Sequence, residues 1–277
     1  MIHTLLIDCP DDIGLVHKAT GVLYRHSLNV TSNNEYVDAI SKRFFMRTEI
    51  FGDMDAGAIK QELSVVLPAG ANITITTKAK KRIVILVTKE HHCLAEILIR
   101  HKFNELNAEI IAVIGNHDVL SDITTQFGIP FIHISHEHKS RNGHEEELLQ
   151  QIHNLNPEFI VLAKYMRILS SDFVVQYSNR IINIHHSFLP AFVGSNPYRQ
   201  AYERGVKIIG ATAHFVNELL DEGPIIVQNV IPTDHTHSAY EMSQMGRDVE
   251  KLVLAKSLKL VFEDRVFVFD NKTIIFD

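Results

Sequence analysis

The sequence has little of what would tie it to an oxidising compartment, a membrane or a polyanion. Only two cysteines, Cys9 and Cys93, occur in 277 residues, and they form no motif. That excludes a disulfide framework and points to reduced, buried thiols in a cytoplasmic protein. No apolar run approaches the length of a membrane span, so no membrane partner is expected. The opening apolar stretch, 2–7, carries His3 and runs into Asp8, which does not fit a targeting segment. The formal net charge is −6, which argues against a nucleic acid as partner. Repeats and low-complexity tracts are absent. The 17 histidines invite thoughts of metal. Yet His136/His138 and His235/His237 are spaced for strand or loop, with no Cys or acidic partner at a metal-site interval, so no metal is expected.

What is present is an ordinary apolar fraction, 45%, in a chain long enough for one large or two modest domains. The first 78 residues read as βαββαβ. A strand over 2–9 is followed by a helix over 14–25 that Asp11 or Asp12 can cap, then a strand over 28–32. Residues 43–51 alternate, with Arg47 and Glu49 opposite Phe44, Met46, Thr48 and Ile50, which predicts a half-exposed strand. A helix over 56–67 and a strand over 72–76 complete this unit. The basic stretch 77–82 is expected as a solvated linker, giving domains at 1–78 and 83–277. Beyond it, short apolar runs alternate with helical periods, which predicts an α/β fold with a doubly wound, mostly parallel sheet. A long helix over 238–261 and a small hairpin over 265–276 close the chain.

Two stretches carry the chemistry. In Arg180-Ile181-Ile182-Asn183-Ile184-His185-His186-Ser187-Phe188-Leu189-Pro190, strand alternation puts Asn183 and His185 on one face, with Ile182 and Ile184 packed behind. The carboxyl end of a strand is where open α/β sheets keep their ligands. The second stretch, Thr212 to Ile226, reads as an apolar strand, an acidic turn closed by Gly223-Pro224, and another strand. Together they can assemble an amide, an imidazole and a carboxylate, the parts needed to polarise a carbonyl, move a proton and orient a nucleophile. Adjacency alone does not choose between Asp221 and Glu222. His214 can be a satisfied neighbour of the site or a support for Asp221, and His186 a structural or rim residue.

These motifs, with Gly194-Ser195-Asn196-Pro197 between them, resemble the signature of folate-dependent formyltransferases. The resemblance implies Asn183, His185 and Asp221 as the catalytic set. It also likens Ala163–Ser170 to a pterin-binding segment, in which Met166, Arg167, Ile168 and Leu169, with His214, contact the folate. Arg167 could meet a folate carboxylate. Residues 1–78, through Asp8-Cys9-Pro10-Asp11-Asp12-Ile13-Gly14-Leu15, resemble an ACT domain. That implies an amino-acid effector, glycine or methionine, near Asp11 and Gly14, and a homo-oligomer built through paired ACT-like units. An ACT-like unit in front narrows the resemblance to the branch that hydrolyses the formyl group. Gly246-Arg247-Asp248-Val249-Glu250-Lys251 extends the match towards the end of the chain.

One departure bears on the acceptor. Where phosphate-binding transferases of this family have a Gly- and Ser-rich loop, this chain has Lys89-Glu90-His91-His92-Cys93. It lacks glycines that would let backbone amides approach a phosphate, and Glu90 would repel one. The expected reaction is hydrolysis of 10-formyltetrahydrofolate to formate and tetrahydrofolate, with no metal or redox cofactor. The alternatives are formyl transfer to an amine such as phosphoribosyl glycinamide, or an amino-acid sensor whose folate domain binds without catalysis.

Overall fold

A computed structural model describes residues 2–191 and 197–277. The chain divides into two compact units: residues 1–79 with 263–267 and 274–277, and residues 80–262 with 268–273. The sequence reading assigned the whole C-terminal hairpin to the second domain; in the structure its outer residues belong to the first unit and its tip to the second.

In the first unit the elements are β1 (Ile2–Pro10), α1 (Leu15–Arg25), β2 (Asn29–Asp38), β3 (Arg43–Phe51), α2 (Ala56–Val66) and β4 (Asn72–Thr77). The sheet order is β2-β3-β1-β4, antiparallel throughout. Leu5, Ile7, Phe44, Met46 and Ile50 from the sheet meet Ala19, Val22 and Leu23 of α1 and Ile59 and Leu63 of α2.

Three expectations are corrected here. Neither Asp11 nor Asp12 caps α1; Gly14 holds the N-cap position with φ 78°, a left-handed conformation that glycine takes without steric cost. Asp12 pairs instead with Lys18 at 2.9 Å. Strand β2 runs six residues past the expected end, because its polar residues are held by backbone pairing to β3 and not by burial. Strand β3 is not half-exposed: Arg47 is 4% exposed. Residues 263–267 cover that face, where Arg47 donates to the carbonyls of Asp264 (2.9 Å) and Glu263 (3.1 Å) and Phe267 meets Phe45 edge to face.

The second unit contains β5 (Lys81–Val87), α3 (His92–Lys102), β6 (Ala108–Gly115), α4 (Ser121–Gln126), β7 (Phe131–His133), α5 (Arg141–Leu155) and β8 (Phe159–Leu162). It continues with α6 (Ser171–Gln176), β9 (Ile181–His185), α7 (Pro197–Arg204), β10 (Ile208–Phe215), β11 (Ile225–Pro232) and α8 (Ala239–Phe262). Lys81, expected in the linker, is a buried residue of β5. Helix α7 was not foreseen, since its composition is strongly polar. The chain ends with β12 (Val266–Phe269) and β13 (Lys272–Ile275).

The large sheet has the order β11-β10-β9-β8-β5-β6-β7, parallel from β9 to β7 and antiparallel at β10 and β11. From β5 the chain winds outwards to β6 and β7, then returns to add β8 and β9 on the other side. The carboxyl ends of β5 and β8 mark that reversal, where doubly wound sheets open a crevice. Among the described residues, no helix is long and apolar enough to cross a membrane.

Candidate active site

Strand pairing assembles the site. Antiparallel pairing of β9 with β10 sets His214 opposite Asn183 and Thr212 opposite His185. After β10 the chain turns through residues 216–224 and is closed by Phe215 N–H donating to the Pro224 carbonyl at 2.9 Å. A Cβ on Gly223 would collide with the Phe215 carbonyl oxygen, so a side chain there would force the turn open. Within the turn Asp221 takes a left-handed φ of 59°. Its Oδ1 then lies 3.3 Å from His185 Nδ1 and 3.8 Å from His214 Nε2. Glu222 is exposed and points its backbone carbonyl at Asn271 Nδ2, 2.8 Å away. Geometry thus separates two carboxylates that adjacency could not.

Hydrogen-bond partners fix how each group is oriented. His214 Nδ1 faces the Phe215 carbonyl at 2.8 Å, and a carbonyl can only accept, so Nδ1 carries the proton. Burial holds His214 below the ordinary histidine range, the Phe215 carbonyl opposing it only in part. Its unprotonated Nε2 therefore accepts from Asn183 Nδ2 at 3.2 Å, which sets the Asn183 amide and leaves one N–H for a ligand. His185 gives its Nδ1–H to Asp221, while its Nε2 is buried with no hydrogen-bond partner among the described residues. An unpaired buried polar atom of this kind marks a site built for a ligand. Burial works against the charge on Asp221. The hydrogen bond from His185 and the positive potential of the surrounding imidazoles nonetheless hold its carboxyl below the usual carboxylate range. His186 is pushed down to about 4, by burial first and then by Lys164, so it is neutral at pH 7.

These groups line a cavity of about 340 Å³. Met166 and Ile168, each 57% exposed, form one apolar wall, and Leu219 and Leu220 form another. Arg167 and Leu169 also line it. Large apolar side chains left open to solvent on both sides of a cleft suit a flat ring system. The sequence reading named the first wall and missed the second, although Leu219-Leu220 directly precedes Asp221 and was legible as a candidate. Gly194-Ser195-Asn196 lies outside the described residues.

A second polar group was not foreseen. Glu250 of α8 is fully buried and accepts from His92 Nε2 (2.8 Å), Tyr198 OH (2.6 Å) and Lys164 Nζ (3.1 Å). A Cβ on Gly246 would overlap the Tyr198 ring, so glycine lets that ring reach Glu250. Burial raises the Glu250 carboxyl, but His92, Lys164 and Tyr198 outweigh it and hold it at about 2. His92, Cys93 and Glu250 lie close enough to bind a metal ion. Their chemistry does not suit one: the Lys164 ammonium takes the place of a cation beside Glu250, and burial keeps the Cys93 thiol protonated. In the first unit Asp11 and Gly14 lie on the exposed loop before α1, where the Asp11 N–H donates to the Lys42 carbonyl at 2.9 Å.

The mixed sheet, the Asn–His–Asp cluster at its carboxyl edge and the cleft beside it define a formyltransferase-type catalytic unit. The Formyl transferase family model matches residues 81–258, and the ACT domain model matches residues 3–67. The formyltetrahydrofolate deformylase of Haemophilus influenzae is 54% identical over 271 residues, covering 98% of each chain. The Escherichia coli K12 deformylase is 52% identical, covering 96% of this chain and 95% of its own. The crystal structure of a Pseudomonas syringae deformylase has a TM-score of 0.96 at 41% identity, covering 100% of this chain and 94% of that one. A phosphoribosylglycinamide formyltransferase from Anaplasma phagocytophilum matches 72% of this chain, with a TM-score of 0.66 and 28% identity. The chain belongs to the formyltetrahydrofolate deformylase family.

Proposed function

We propose that this enzyme hydrolyses 10-formyltetrahydrofolate to formate and tetrahydrofolate, supplying formate for purine biosynthesis and balancing one-carbon folate pools in the cytoplasm. The observation that carries the reading is the meeting of Asn183, His185, His214 and Asp221 beside an apolar cleft. Full-length similarity to deformylases supports water as the acceptor.

The pterin lies between Met166–Leu169 and Leu219–Leu220, and Arg167 meets a folate carboxylate. Water attacks the formyl carbon while Asp221 accepts its proton. The remaining N–H of Asn183 and the Nε2–H of charged His185 stabilise the oxyanion, each such donor being worth ~3 kcal/mol. The bond from carbon to the folate nitrogen then breaks, that nitrogen takes a proton from His185, and formic acid leaves, giving its proton to solvent to become formate. Proton exchange between Asp221 and His185 resets the pair. His214 acts through Asn183 by holding its amide. No metal or redox cofactor takes part. We assign Asp11 and Gly14 to an amino-acid effector, glycine or methionine, and expect a homo-oligomer through the ACT unit.

The decisive assay supplies 10-formyltetrahydrofolate with no amine and follows formate and tetrahydrofolate. Release of both in equal amounts is expected. Turnover only when an amine is added would replace the hydrolase reading with a transferase.

A further inference from the structure

A second chamber of about 440 Å³ adjoins the folate cleft; Lys164, Met166 and His186 line both. It reaches the end of the strand that carries Asn183 and His185 through the next residue, His186, and it contains none of Asn183, His185 and Asp221 in its lining. Its floor is the buried Glu250, and its rim carries Glu90, Arg199 and Arg247. Every charged side chain that lines it is paired with another of the protein's own. Lys164 and His92 hold Glu250, Arg247 holds Glu90 at 3.2 Å, and Arg199 holds Glu203 at 2.8 Å. Tyr198 spends its hydroxyl on Glu250.

We infer that this chamber is the acceptor side of the site, and that its self-pairing through Lys164 and Glu250 reserves it for water. The inference rests on the hydrolase reading above. An organic amine must be anchored to attack in register, and its hydroxyl, ammonium or anionic groups need partners to replace lost hydration. Here the charged groups that could serve are already paired with one another, while His92 Nδ1, 3.7 Å from Glu90, is left without a hydrogen bond among the described residues. Glu250, which could hold an ammonium or a sugar hydroxyl, accepts three donors from the protein itself. Water needs no skeleton held and fits between paired groups. Lys164 is thus a specificity-determining residue, set by the loop after β8 in a left-handed backbone conformation (φ 61°) that aims it across to α8.

The chemistry of the two outcomes differs only in the nucleophile. With water, a C–O bond forms, the bond to the folate nitrogen breaks, and formate departs after loss of the water protons. With an amine, a C–N bond forms, the amine nitrogen loses a proton, and a formamide departs with tetrahydrofolate. The test is therefore a partition ratio. Wild type, Lys164→Met and Lys164→Met/Glu250→Gln are given 10-formyltetrahydrofolate with and without glycinamide, and formate and N-formylglycinamide are quantified.

Wild type should yield N-formylglycinamide no higher than the enzyme-free background, and Lys164→Met should raise it to about tenfold or more above that background, relative to formate, as Glu250 becomes free to anchor the amine. The double variant removes both charges, so it serves if the single variant leaves Glu250 too destabilising to fold. It should raise the ratio less, through opened space alone. Misplacement of the fold would lower both products together and leave the ratio unmoved. An unchanged ratio in a folded variant that still releases tetrahydrofolate overturns the inference and spares the hydrolase reading. Absence of formate from wild type without amine overturns that reading itself.

Discussion

Replacing Asp221 by Asn keeps the shape of the acidic turn and removes one charge. His185 Nδ1 lies 3.3 Å from Asp221 Oδ1, and the Asp221 side chain is 11% exposed, so water screens the pair weakly. With charge centres about 4 Å apart and an effective dielectric near 20, attraction between carboxylate and imidazolium is about 4 kcal/mol. The amide can still accept from Nδ1–H, so part of the contact survives and the lost charge accounts for about 3 kcal/mol; an amide cannot take the proton of the attacking water, so this is a lower bound on the loss. That corresponds to a fall of about a hundredfold or more in kcat. An amide turned so that its NH₂ faced Nδ1 would select the other imidazole tautomer and deepen the loss. KM should change little, because the apolar walls that receive the pterin are untouched. Steady-state release of formate and tetrahydrofolate measures both constants, and thermal unfolding checks the fold. A kcat within a few-fold of wild type, or a loss confined to KM, would refute the charge pairing as the source of rate.

Other expected outcomes follow from the same distances. Asn183→Ala should cost about 3 kcal/mol of transition-state stabilisation in kcat, read in the same assay. His214→Ala should lower kcat by roughly tenfold through a freely rotating Asn183 amide, with folate binding by calorimetry unchanged. Glu250 has a folded-state pKa of about 2, below its unfolded value near 4.3. Its stabilisation, about 3 kcal/mol, is therefore complete above pH ~4.3 and drains away as pH falls towards the folded value. Glu250→Gln should then be less stable than wild type at pH 7 in urea unfolding, with the gap closing below pH ~4; a gap independent of pH would count against the buried ion pair. Gly246→Ala should destabilise by about 1–3 kcal/mol by displacing the Tyr198 ring, measured by the same unfolding curves.

The parallel sheet was legible because each buried strand is a short β-branched run with helical periodicity between. The meeting of Asn183, His185 and Asp221 was legible because strand alternation puts Asn183 and His185 on one face, and the family pattern picks Asp221 from two adjacent carboxylates. What could not be read was long-range. Arg47 looks like a solvent-facing residue of an alternating strand, since nothing local reveals carbonyls arriving from residues 263 and 264. Strand β2 escaped because a polar edge strand held by its ladder lacks a hydrophobic period. The Glu250 network joins residues 92, 164, 198 and 250, four separate segments, and no window of sequence contains it. Asp11 and Asp12 misled in the opposite way: cap-forming side chains stood next to a glycine that took the position by its backbone.

The tail of the chain sets a limit on dissection. Severing the polypeptide after Ala79 would strip residues 263–267 from the small sheet they complete. Phe45 would lose Phe267, and the guanidinium of Arg47 would lose both carbonyls that receive it as its face of the sheet is uncovered. The ACT-type module is thus closed only by residues that follow the whole of the second unit's main segment, 80–262, in the chain. It cannot gain that cover until residues 80–262 have been made, and a stop before residue 263 would leave the small sheet without it.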